Sequence, residues 1–444
     1  MPVPRVRLVV LNYNGADLVV RCVDHLERLD WPHDRLEIVV VDNDSRDGSD
    51  RILEQRPRVR LIRSGRNRGF PANNLAMRDL DRVDYLGLVN NDAFAEPDYL
   101  QPLVAALSHD ETLGAACPKI LLAPQFVDLR LRVQTRRAPG DGRDLGVRLS
   151  GLQVDGRDRW SHAGFADGWY PTEPAAGSHE FRWSAGEALL RVPVAVDAAT
   201  STARVRLAAD RPVVAWIDAG ADKLPVDVAD QPAWVDVPLA GERYDVVNNV
   251  GSVLVEGGWG GDRGFLEADT GQYDEPQDVF AWCGAGVLFR VDYLRDVGLF
   301  DERFFLYYED TDMAWRGRAR GWRYRYVPGA VLRHVHAATS VEGSPLFHHF
   351  VERNRLVMLT KNAPPRLAAG AAARFLLSTA SYARRDIVRP LLTGRRPSTG
   401  LVRARLRSFG GYLRMLPRVL PDRRRLRAAQ RVHDEAITGW AVDR

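Results

Sequence analysis

Apolar runs and helical spacings alternate along the first 125 residues. Near-continuous apolar runs, which are typical of buried parallel strands, occupy 6–11, 36–41, 59–62 and 85–89. Apolar side chains at spacings of three and four predict an amphipathic helix after the first run, with Cys22 and Leu26 on its buried face, and further helices are predicted over 49–55 and 71–80. Strands that alternate with helices predict a parallel sheet with right-handed crossovers.

The pattern changes near Gln125. From there to about Arg243, short runs of alternating apolar and polar residues are separated by Gly, Pro and Asp turns, which is typical of an antiparallel sandwich. Trp216 and Trp234 stand in such runs and are predicted to be core residues. Whether other tryptophans of this segment bind carbohydrate stays open.

The α/β pattern returns with an apolar run over 280–290 and a helix that begins near Asp310. The simplest interpretation is an all-β sandwich, 126–245, inserted into one α/β domain. That domain would then consist of 1–125 and 246–360.

Polar residues follow three of the predicted strands. Asn12 and Asn14 follow the first, Asp42 ends the second, and Asn90 and Asp92 follow the fourth. Ligands of open parallel sheets bind at the carboxyl ends of the strands. The sequence therefore predicts a polar site at this edge of the sheet.

Composition favours a soluble globular protein in a reducing compartment. Apolar residues make up 45% of the chain and charged residues 27%. Cys22, Cys117 and Cys283 are odd in number and form no CxxC pair, which argues against a disulfide framework and a zinc ribbon. The N-terminus shows no signal-peptide pattern, and the bland apolar stretch over 367–380 is too short to span a bilayer. A cytoplasmic location is expected.

Residues 361–444 form a helical, Arg-rich pattern broken by prolines that include Pro417 and Pro421. They hold 19 Lys and Arg against 5 Asp and Glu, a net charge of +14, so the rest of the chain carries −10 of the total of +4. An Arg-rich amphipathic segment is typical of a surface that lies on anionic lipid, here the inner face of the plasma membrane. A solvated helical face is the alternative. The segment contains no recognised nucleic-acid motif, and no nucleic-acid partner is expected.

Several motifs stand in one order along the two α/β segments. They are Val9-Val10-Leu11-Asn12-Tyr13-Asn14, Val40-Val41-Asp42-Asn43-Asp44-Ser45, Asn67-Arg68-Gly69-Phe70, Leu88-Val89-Asn90-Asn91-Asp92, Gly284-Ala285-Gly286 and the acidic-aromatic stretch over 300–312, with His334 after them. In this order and spacing they resemble family 2 glycosyltransferases, in particular the branch of bacterial rhamnosyl- and galactofuranosyltransferase-like enzymes. The resemblance covers 1–125 and 246–360.

The resemblance implies a GT-A fold, a Rossmann-like α/β architecture with a mostly parallel sheet, whose first half binds the nucleotide and whose second half binds the acceptor. It implies inverting transfer of a hexosyl or pentosyl group from a nucleotide-diphosphate sugar to a hydroxyl of a glycan or lipid-linked acceptor, in cell-envelope polysaccharide synthesis. On the donor side, Asp42 would accept hydrogen bonds from the base or ribose, although an Asx turn is the alternative. The other nucleotide- or substrate-binding residues would be Asn12, Asn14, Asn67, Asn73, Asn91, Trp282, Gly284 and Glu309.

A divalent metal, Mg²⁺ or Mn²⁺, is implied at the position of the family's acidic metal-binding motif. Asp92 would supply a carboxylate and His334 an imidazole. Asn90 stands where many relatives have Asp, which puts that ligand in doubt. His336 is an alternative to His334.

Asp310 would be the catalytic base, because inversion requires a group that takes the proton of the acceptor hydroxyl. The structural alternative is that Asp310 and Asp312 are N-terminal acids of a helix. Trp282 could stack on a sugar or belong to the core.

Two rival functions remain at this stage. The first is a non-catalytic glycan-binding or scaffolding protein on a degenerate GT-A fold. The replacement of an acidic metal ligand by Asn90 favours this function, whereas the presence of Asp92 and Asp310 argues against it. A nucleotidyltransferase would need a Gly-rich, basic loop after the first strand, and Asn12-Tyr13-Asn14-Gly15 is not one.

Overall fold

The computed structural model describes residues 3–137, 140–174, 180–220, 223–335 and 344–443. They fold into two compact units. The first consists of Met1–Leu121, Val247–Glu267 and Gly271–Arg444, and the second of Leu122–Val246 with Ala268–Thr270. The second unit interrupts the first, and the predicted insert boundaries of 126 and 245 lie just inside it.

Strands and helices alternate through the first 121 residues. In chain order the elements are β1 (Val6–Asn12), α1 (Ala16–Glu27), β2 (Leu36–Asp42), α2 (Ser49–Glu54), β3 (Val59–Arg63), α3 (Asn74–Met77), β4 (Tyr85–Asn90), β5 (Ala93–Ala95), α4 (Leu100–His109) and β6 (Leu113–Leu122). The apolar runs of β1, β2 and β4 are almost entirely buried. Helix α1 turns Cys22 and Leu26 of its predicted apolar face into the core.

The helix predicted over 71–80 is wrong in extent. The structure has a 3₁₀ turn over Phe70–Asn73 followed by one α-helical turn, α3. Asn73 Nδ2 donates to the Phe70 carbonyl at 2.9 Å, and Asn74 Nδ2 donates to the Phe300 carbonyl at 2.9 Å. Asparagine side chains that bond to the backbone compete with helical bonding, so two in succession shorten this helix.

The second unit is built from strands. They are β7 (Gln125–Val133), β8 (Arg136–Arg137), β9 (Asp144–Leu145), β10 (Arg148–Val154), β11 (Arg157–Asp158), β12 (Gly164–Phe165), β13 (Glu173–Pro174), β14 (Glu180–Trp183), β15 (Glu187–Val194), β16 (Ser201–Ala208), β17 (Val213–Asp218), β18 (Leu224–Val228) and β19 (Ala233–Leu239). One sheet has the order β13-β14-β10-β16-β19 and the other the order β12-β15-β7-β17-β18. Valine, leucine and isoleucine side chains from both sheets form one buried cluster.

The prediction that Trp216 and Trp234 are core residues is wrong. Trp216 is 47% exposed and Trp234 is 38% exposed. On β17 the apolar neighbours Ala215 and Ile217 are the buried residues. Because side chains alternate along a strand, burying these two turns Trp216 to solvent.

The second half of the first unit adds short strands and most of the helices. The elements are β20 (Val247–Asn249), β21 (Ser252–Val255), β22 (Trp259–Asp262), β23 (Gln277–Asp278), β24 (Gly286–Arg290), α5 (Val291–Val297), α6 (Glu309–Arg320), β25 (Arg323–His334), α7 (Pro345–Asn362), α8 (Pro365–Ala383), α9 (Arg389–Leu392), α10 (Gly400–Ala428), α11 (Asp434–Thr438) and β26 (Ala441–Val442). In the parts of the chain with described structure, no helix has both the length and the apolar character needed to cross a bilayer.

The two halves of the first unit share one sheet with the order β23-β25-β6-β24-β4-β1-β2-β3. Strands β1 to β4 are parallel, whereas β24 runs antiparallel to β4 and β6. Val247 of β20 pairs with Leu121 of β6, so the chain leaves and re-enters this unit at neighbouring positions. The predicted α/β fold with an all-β insert is confirmed, although the parallel part of the sheet is confined to the first half.

The C-terminal helices pack against one another within the first unit. Tyr412 of α10 shares a hydrogen bond of 2.9 Å with Thr360 of α7, and Arg423 donates to the carbonyls of Thr360 and Ala363 at 2.8 Å each. The predicted breaks at Pro417 and Pro421 are wrong, because α10 continues through both. A proline inside a helix costs about 3 kcal/mol, and the packing of α10 against α7 offsets this cost.

Candidate active site

Asn12 connects the ends of β1, β2 and β4. Its Nδ2 lies 3.2 Å from Asp42 Oδ1 and 2.9 Å from Ser49 Oγ, and its Oδ1 lies 3.4 Å from Asn91 Nδ2. Asp42 is buried, and its Oδ2 accepts a hydrogen bond of 3.2 Å from the backbone of Ser45. Asp42 therefore makes a local bond to the backbone three residues on, beside its contact with Asn12.

Asn43, to which the sequence analysis assigns no role, holds the next motif in place. Its Nδ2 donates to Asn67 Oδ1 at 3.0 Å and to the Gly69 carbonyl at 3.2 Å, and its Oδ1 accepts from the Arg68 backbone at 2.9 Å. A Cβ on Gly69 would lie 1.9 Å from the carbonyl oxygen of Phe305, and Gly69 has a φ of 68°. Only glycine fits there. The motif around Asn67 thereby meets the acidic-aromatic stretch, more than two hundred residues away in sequence.

Asn14 and Asn73 lie in more local arrangements. Asn14 is exposed, and its Oδ1 accepts from the backbone of Arg46 at 2.8 Å. Asn73 is buried and donates to the Phe70 carbonyl, whereas its Oδ1 has no hydrogen-bond partner in the described part of the chain. Their predicted contacts with substrate stay predictions.

The three predicted metal ligands meet where β5 pairs with β25. His334 Nε2 lies 3.1 Å from Asp92 Oδ1 and 3.4 Å from Asn90 Nδ2. His334 Nδ1 lies 2.9 Å from Asn248 Oδ1, a contact that requires the hydrogen on Nδ1. The described ranges contain no group of three or more His, Cys, Asp or Glu that could hold a metal ion. His336 lies outside the described residues.

Asp310 stands in the first turn of α6 and keeps part of its surface accessible. Burial is the largest influence and raises its pKa, the negative charge of Asp262 adds to the rise, and hydrogen bonds from Thr311 and the Gly284 N–H oppose it. The result is a pKa of about 6. Asp262 on β22 is a neighbour that the sequence does not predict.

Glu309 lies beside Asp310 and is buried. Burial, together with the charge of Asp310, raises the pKa of Glu309 well above its usual range. Its Oε2 has no hydrogen-bond partner among the residues that the structure describes. Burial and the neighbouring negative charge of Asp310 therefore both disfavour the ionised form of Glu309.

Residues 284–285 lie between the segment that carries Asp92 and the helix that carries Asp310. The Asn90 N–H donates to the Ala285 carbonyl at 3.0 Å, and the Gly284 N–H lies close enough to the Asp310 carboxylate to lower its pKa. The motif that carries Asp92 and the helix that carries Asp310 thus each contact one of two adjacent residues. The structure brings both stretches to one region of the sheet edge.

Two family profiles match the chain over the segments that build this region. The profile described as glycosyl transferase family 2 matches residues 8–147, and the one described as glycosyl transferase family group 2 matches residues 261–355. The chain belongs to glycosyltransferase family 2. Its place in the rhamnosyl- and galactofuranosyltransferase-like branch stays a prediction.

Known proteins are similar to parts of this family 2 chain. Chondroitin synthase of Escherichia coli is 36% identical over 120 residues, which cover 26% of this chain and 17% of that protein. The succinoglycan biosynthesis protein ExoO of Rhizobium meliloti is 34% identical over 104 residues, which cover 23% of this chain and 29% of that protein. The mannosyltransferase PcManGT of Pyrobaculum calidifontis, solved with GDP-Man and Mn²⁺, has a TM-score of 0.40 at 16% identity and covers 92% of this chain and 87% of its own. The chain thus matches less than a third of the length of either curated relative.

The loop before α6 of this family 2 protein has a strained backbone. Phe305, Tyr307 and Tyr308 have φ values of 65°, 67° and 69°, which bulky residues rarely adopt. The fully buried Asn354 of α7 holds this loop, because its Nδ2 donates to the carbonyls of Phe304, Leu306 and Tyr307 at 2.9, 2.8 and 2.8 Å. No pattern in the sequence marks Asn354.

Asp312 has a structural environment that differs from that of Asp310. It is fully buried, and its carboxylate accepts hydrogen bonds from Arg316 at 3.0 Å, Lys361 at 2.9 Å and Asn362 at 2.7 Å. Lys361 also contacts Asp301 at 2.8 Å. These contacts tie α6 to the end of α7.

Trp282 is fully buried, with Phe289 and Phe300 packed edge-to-face at ring-centroid distances of 4.7 and 5.9 Å. A ring enclosed in this way presents no face to a sugar. The structure favours the core alternative for Trp282 in this family 2 chain.

Proposed function

We propose that the protein is an inverting, divalent-metal-dependent glycosyltransferase. It moves a sugar from a nucleotide-diphosphate donor to a hydroxyl of a glycan or lipid-linked acceptor during cell-envelope polysaccharide synthesis. The observation that carries the proposal is the juxtaposition at residues 284–285, where the segment bearing Asp92 and the helix bearing Asp310 both make contact. Such a pair can neutralise a leaving group and accept a proton in one site.

The nucleoside of the donor binds at the ends of β1 and β2 in this proposal. Asn12, Asp42 and Asn67 are positioned there by hydrogen bonds among themselves and with Asn43. Buried polar groups that are held by such bonds are pre-organised for a ligand. Asp42 would accept hydrogen bonds from the base or ribose.

The residues after β4 fit a divalent cation that keeps open coordination positions. Because His334 Nδ1 donates to Asn248, the lone pair of Nε2 points at the Asp92 carboxylate, an arrangement that a cation between the two atoms would stabilise. Asn90 would offer its amide oxygen after rotation of the amide group. The coordination shell of Mg²⁺ usually contains only one or two protein ligands, and phosphate oxygens of the substrate supply others. The bound metal would neutralise charge on the departing diphosphate.

Asp310 accepts the proton of the acceptor hydroxyl in the proposed reaction. The hydroxyl oxygen forms a bond to the anomeric carbon while the bond from that carbon to the diphosphate oxygen breaks. Attack opposite the leaving group inverts the anomeric configuration. A carboxylate with a pKa of about 6 is ionised at neutral pH and remains a better base than an ordinary aspartate.

The decisive experiment is a turnover screen of the purified full chain with uridine, guanosine and thymidine diphosphate sugars, Mn²⁺ or Mg²⁺, and free and lipid-linked glycan acceptors. We expect transfer with inversion, which NMR of the anomeric proton of the product detects. Retention would contradict the mechanism. An absence of turnover across all donors and acceptors would favour the non-catalytic glycan-binding alternative.

Asp92→Ala should weaken Mn²⁺-dependent nucleotide binding at least tenfold, because it removes the only carboxylate next to His334 Nε2 that the structure describes. Isothermal titration with UDP and GDP, with Mn²⁺ and with EDTA, measures this change. The matched control is Asp98→Ala, which removes an exposed carboxylate of the same segment. Equal Mn²⁺-dependent affinities in the two variants would refute the role of Asp92.

We further propose that α10 rests on an anionic membrane surface. Leu406, Leu413 and Leu420 recur at intervals of seven and are 53%, 47% and 46% exposed. Exposed arginines, such as Arg407 and Arg414, directly follow two of them. Apolar side chains flanked by arginines match the boundary between acyl chains and anionic headgroups.

Changing Leu406, Leu413 and Leu420 together to Ser should reduce binding to vesicles of phosphatidylglycerol and phosphatidylethanolamine at least tenfold, because each leucine would lose its burial in lipid. Vesicle sedimentation measures the effect. The double change Val196→Ser and Val214→Ser, at exposed positions of the other unit, is the control. The α10 surface is excluded as the lipid contact if both variants sediment like the parent protein.

A further inference from the structure

A cleft opens on the solvent side of the sheet β13-β14-β10-β16-β19 in the second unit. Its volume is about 340 Å³, and its lining includes Gln153, Asp158, Trp160, Arg206 and Trp234. Cavities of this size hold small organic ligands or one to two sugar rings. The cleft lies entirely within one unit.

The floor of the cleft is built around Gly151. The pairing of β10 with β16 shifts register between Leu149 and Leu152, which places Gly151 at an irregularity of the strand. A Cβ on Gly151 would lie 2.8 Å from Trp234 Cη2. The absence of a side chain therefore lets the six-membered ring of Trp234 lie against the sheet while the indole stays 38% exposed.

The rest of the lining combines a second indole with polar groups. Trp160 is half-buried, packs edge-to-face on Phe165 at 5.2 Å, and its backbone donates to Asp158 Oδ1 at 2.9 Å. The Gln153 amide and the Arg206 guanidinium have no hydrogen-bond partners within the described ranges. A sugar has an apolar C–H face, which can stack on an aromatic ring, and hydroxyl groups, which need hydrogen-bond donors and acceptors. The two indoles of the lining suit the first, and the polar groups of Gln153 and Arg206 suit the second.

We propose that this cleft binds a neutral oligosaccharide, with Trp234 as the stacking platform and Gln153 and Arg206 as hydroxyl partners. The charged residues of the lining, Asp158, Glu180 and Arg206, favour a neutral ligand over a strongly anionic one. The identification of this oligosaccharide as the acceptor chain rests on the proposed function. Binding itself does not rest on it.

The test is a calorimetric titration of the full chain with hexasaccharides of the malto-, cello-, xylo- and manno- series. Trp234→Ala should weaken binding at least tenfold, and Gly151→Val should do the same by displacing the ring. Trp216→Ala is the matched control, because Trp216 is at least as exposed as Trp234, at 47% against 38%, but lies on the other sheet. The proposal is overturned if none of the four series binds at millimolar concentration, or if Trp216→Ala weakens binding as much as Trp234→Ala.

The two proposals can fail separately. Asp310→Asn should leave oligosaccharide binding unchanged, since it lies in the first unit. Trp234→Ala should raise KM for a long acceptor and leave kcat with a monosaccharide acceptor unchanged. Oligosaccharide binding without any turnover would support the cleft and refute glycosyl transfer.

Discussion

Asp310→Asn is expected to lower kcat for sugar transfer about 10²–10⁴-fold, the usual contribution of a positioned general base. Asparagine preserves the shape of the side chain, and its amide oxygen can still accept the hydrogen bonds that Thr311 donates to Oδ1 of the carboxylate. It cannot accept a proton at neutral pH. The affinity for the donor nucleotide should therefore stay close to that of the parent protein, which separates a chemical defect from a binding defect.

The pH profile of the parent protein gives an independent check. Because burial raises the pKa of Asp310 to about 6, the active, deprotonated form is lost as the pH falls through that value. kcat/KM should fall tenfold per pH unit below about 6 and level off above it. Glu302→Gln, which neutralises an exposed acid of the same motif, should keep both the rate and the profile. A parent-like kcat for Asp310→Asn would remove Asp310 from the mechanism.

The sequence predicts those parts of the site that follow directly from strand order. Asn12, Asp42 and Asp92 each sit at the end of an apolar run, and a parallel sheet places such ends along one edge. His334 and Asp310 come instead from the family resemblance, because nothing in the strand pattern locates the second half of the unit. Their arrival at the same edge depends on the antiparallel strands β24 and β25.

The supporting residues could not be predicted, for a physical reason. Asn43, Asn248 and Asn354 act through single amide groups that contact residues far away in sequence. An amide in a loop or helix carries no periodic signal, and its partners exist only after folding. The prediction that two tryptophans lie in the sandwich core is wrong for another reason. An alternating pattern shows which residues share a face of the strand, but it does not show which face is buried.

Asp312→Ala is expected to destabilise the first unit by about 3–5 kcal/mol, the usual cost of removing one partner from a buried ion pair. Arg316 and Lys361 would keep their charges in a buried environment after losing the carboxylate that both contact. Asn362 would also lose an acceptor. Urea unfolding of the full chain, followed by tryptophan fluorescence and far-UV circular dichroism, measures the change.

Asp236→Ala is the matched control for this stability effect. Asp236 also pairs with an arginine, Arg204, at 2.8 Å, but its side chain is 67% exposed and such pairs contribute about 0–1 kcal/mol. Should Asp312→Ala cost no more than Asp236→Ala, the buried network would not stabilise α6. The two acids of α6 thus have opposite expected phenotypes. Loss of Asp310 should slow turnover in a stably folded protein, because Asp310 keeps a surface that an acceptor can reach. Loss of Asp312, which is fully buried, should lower stability before it alters chemistry.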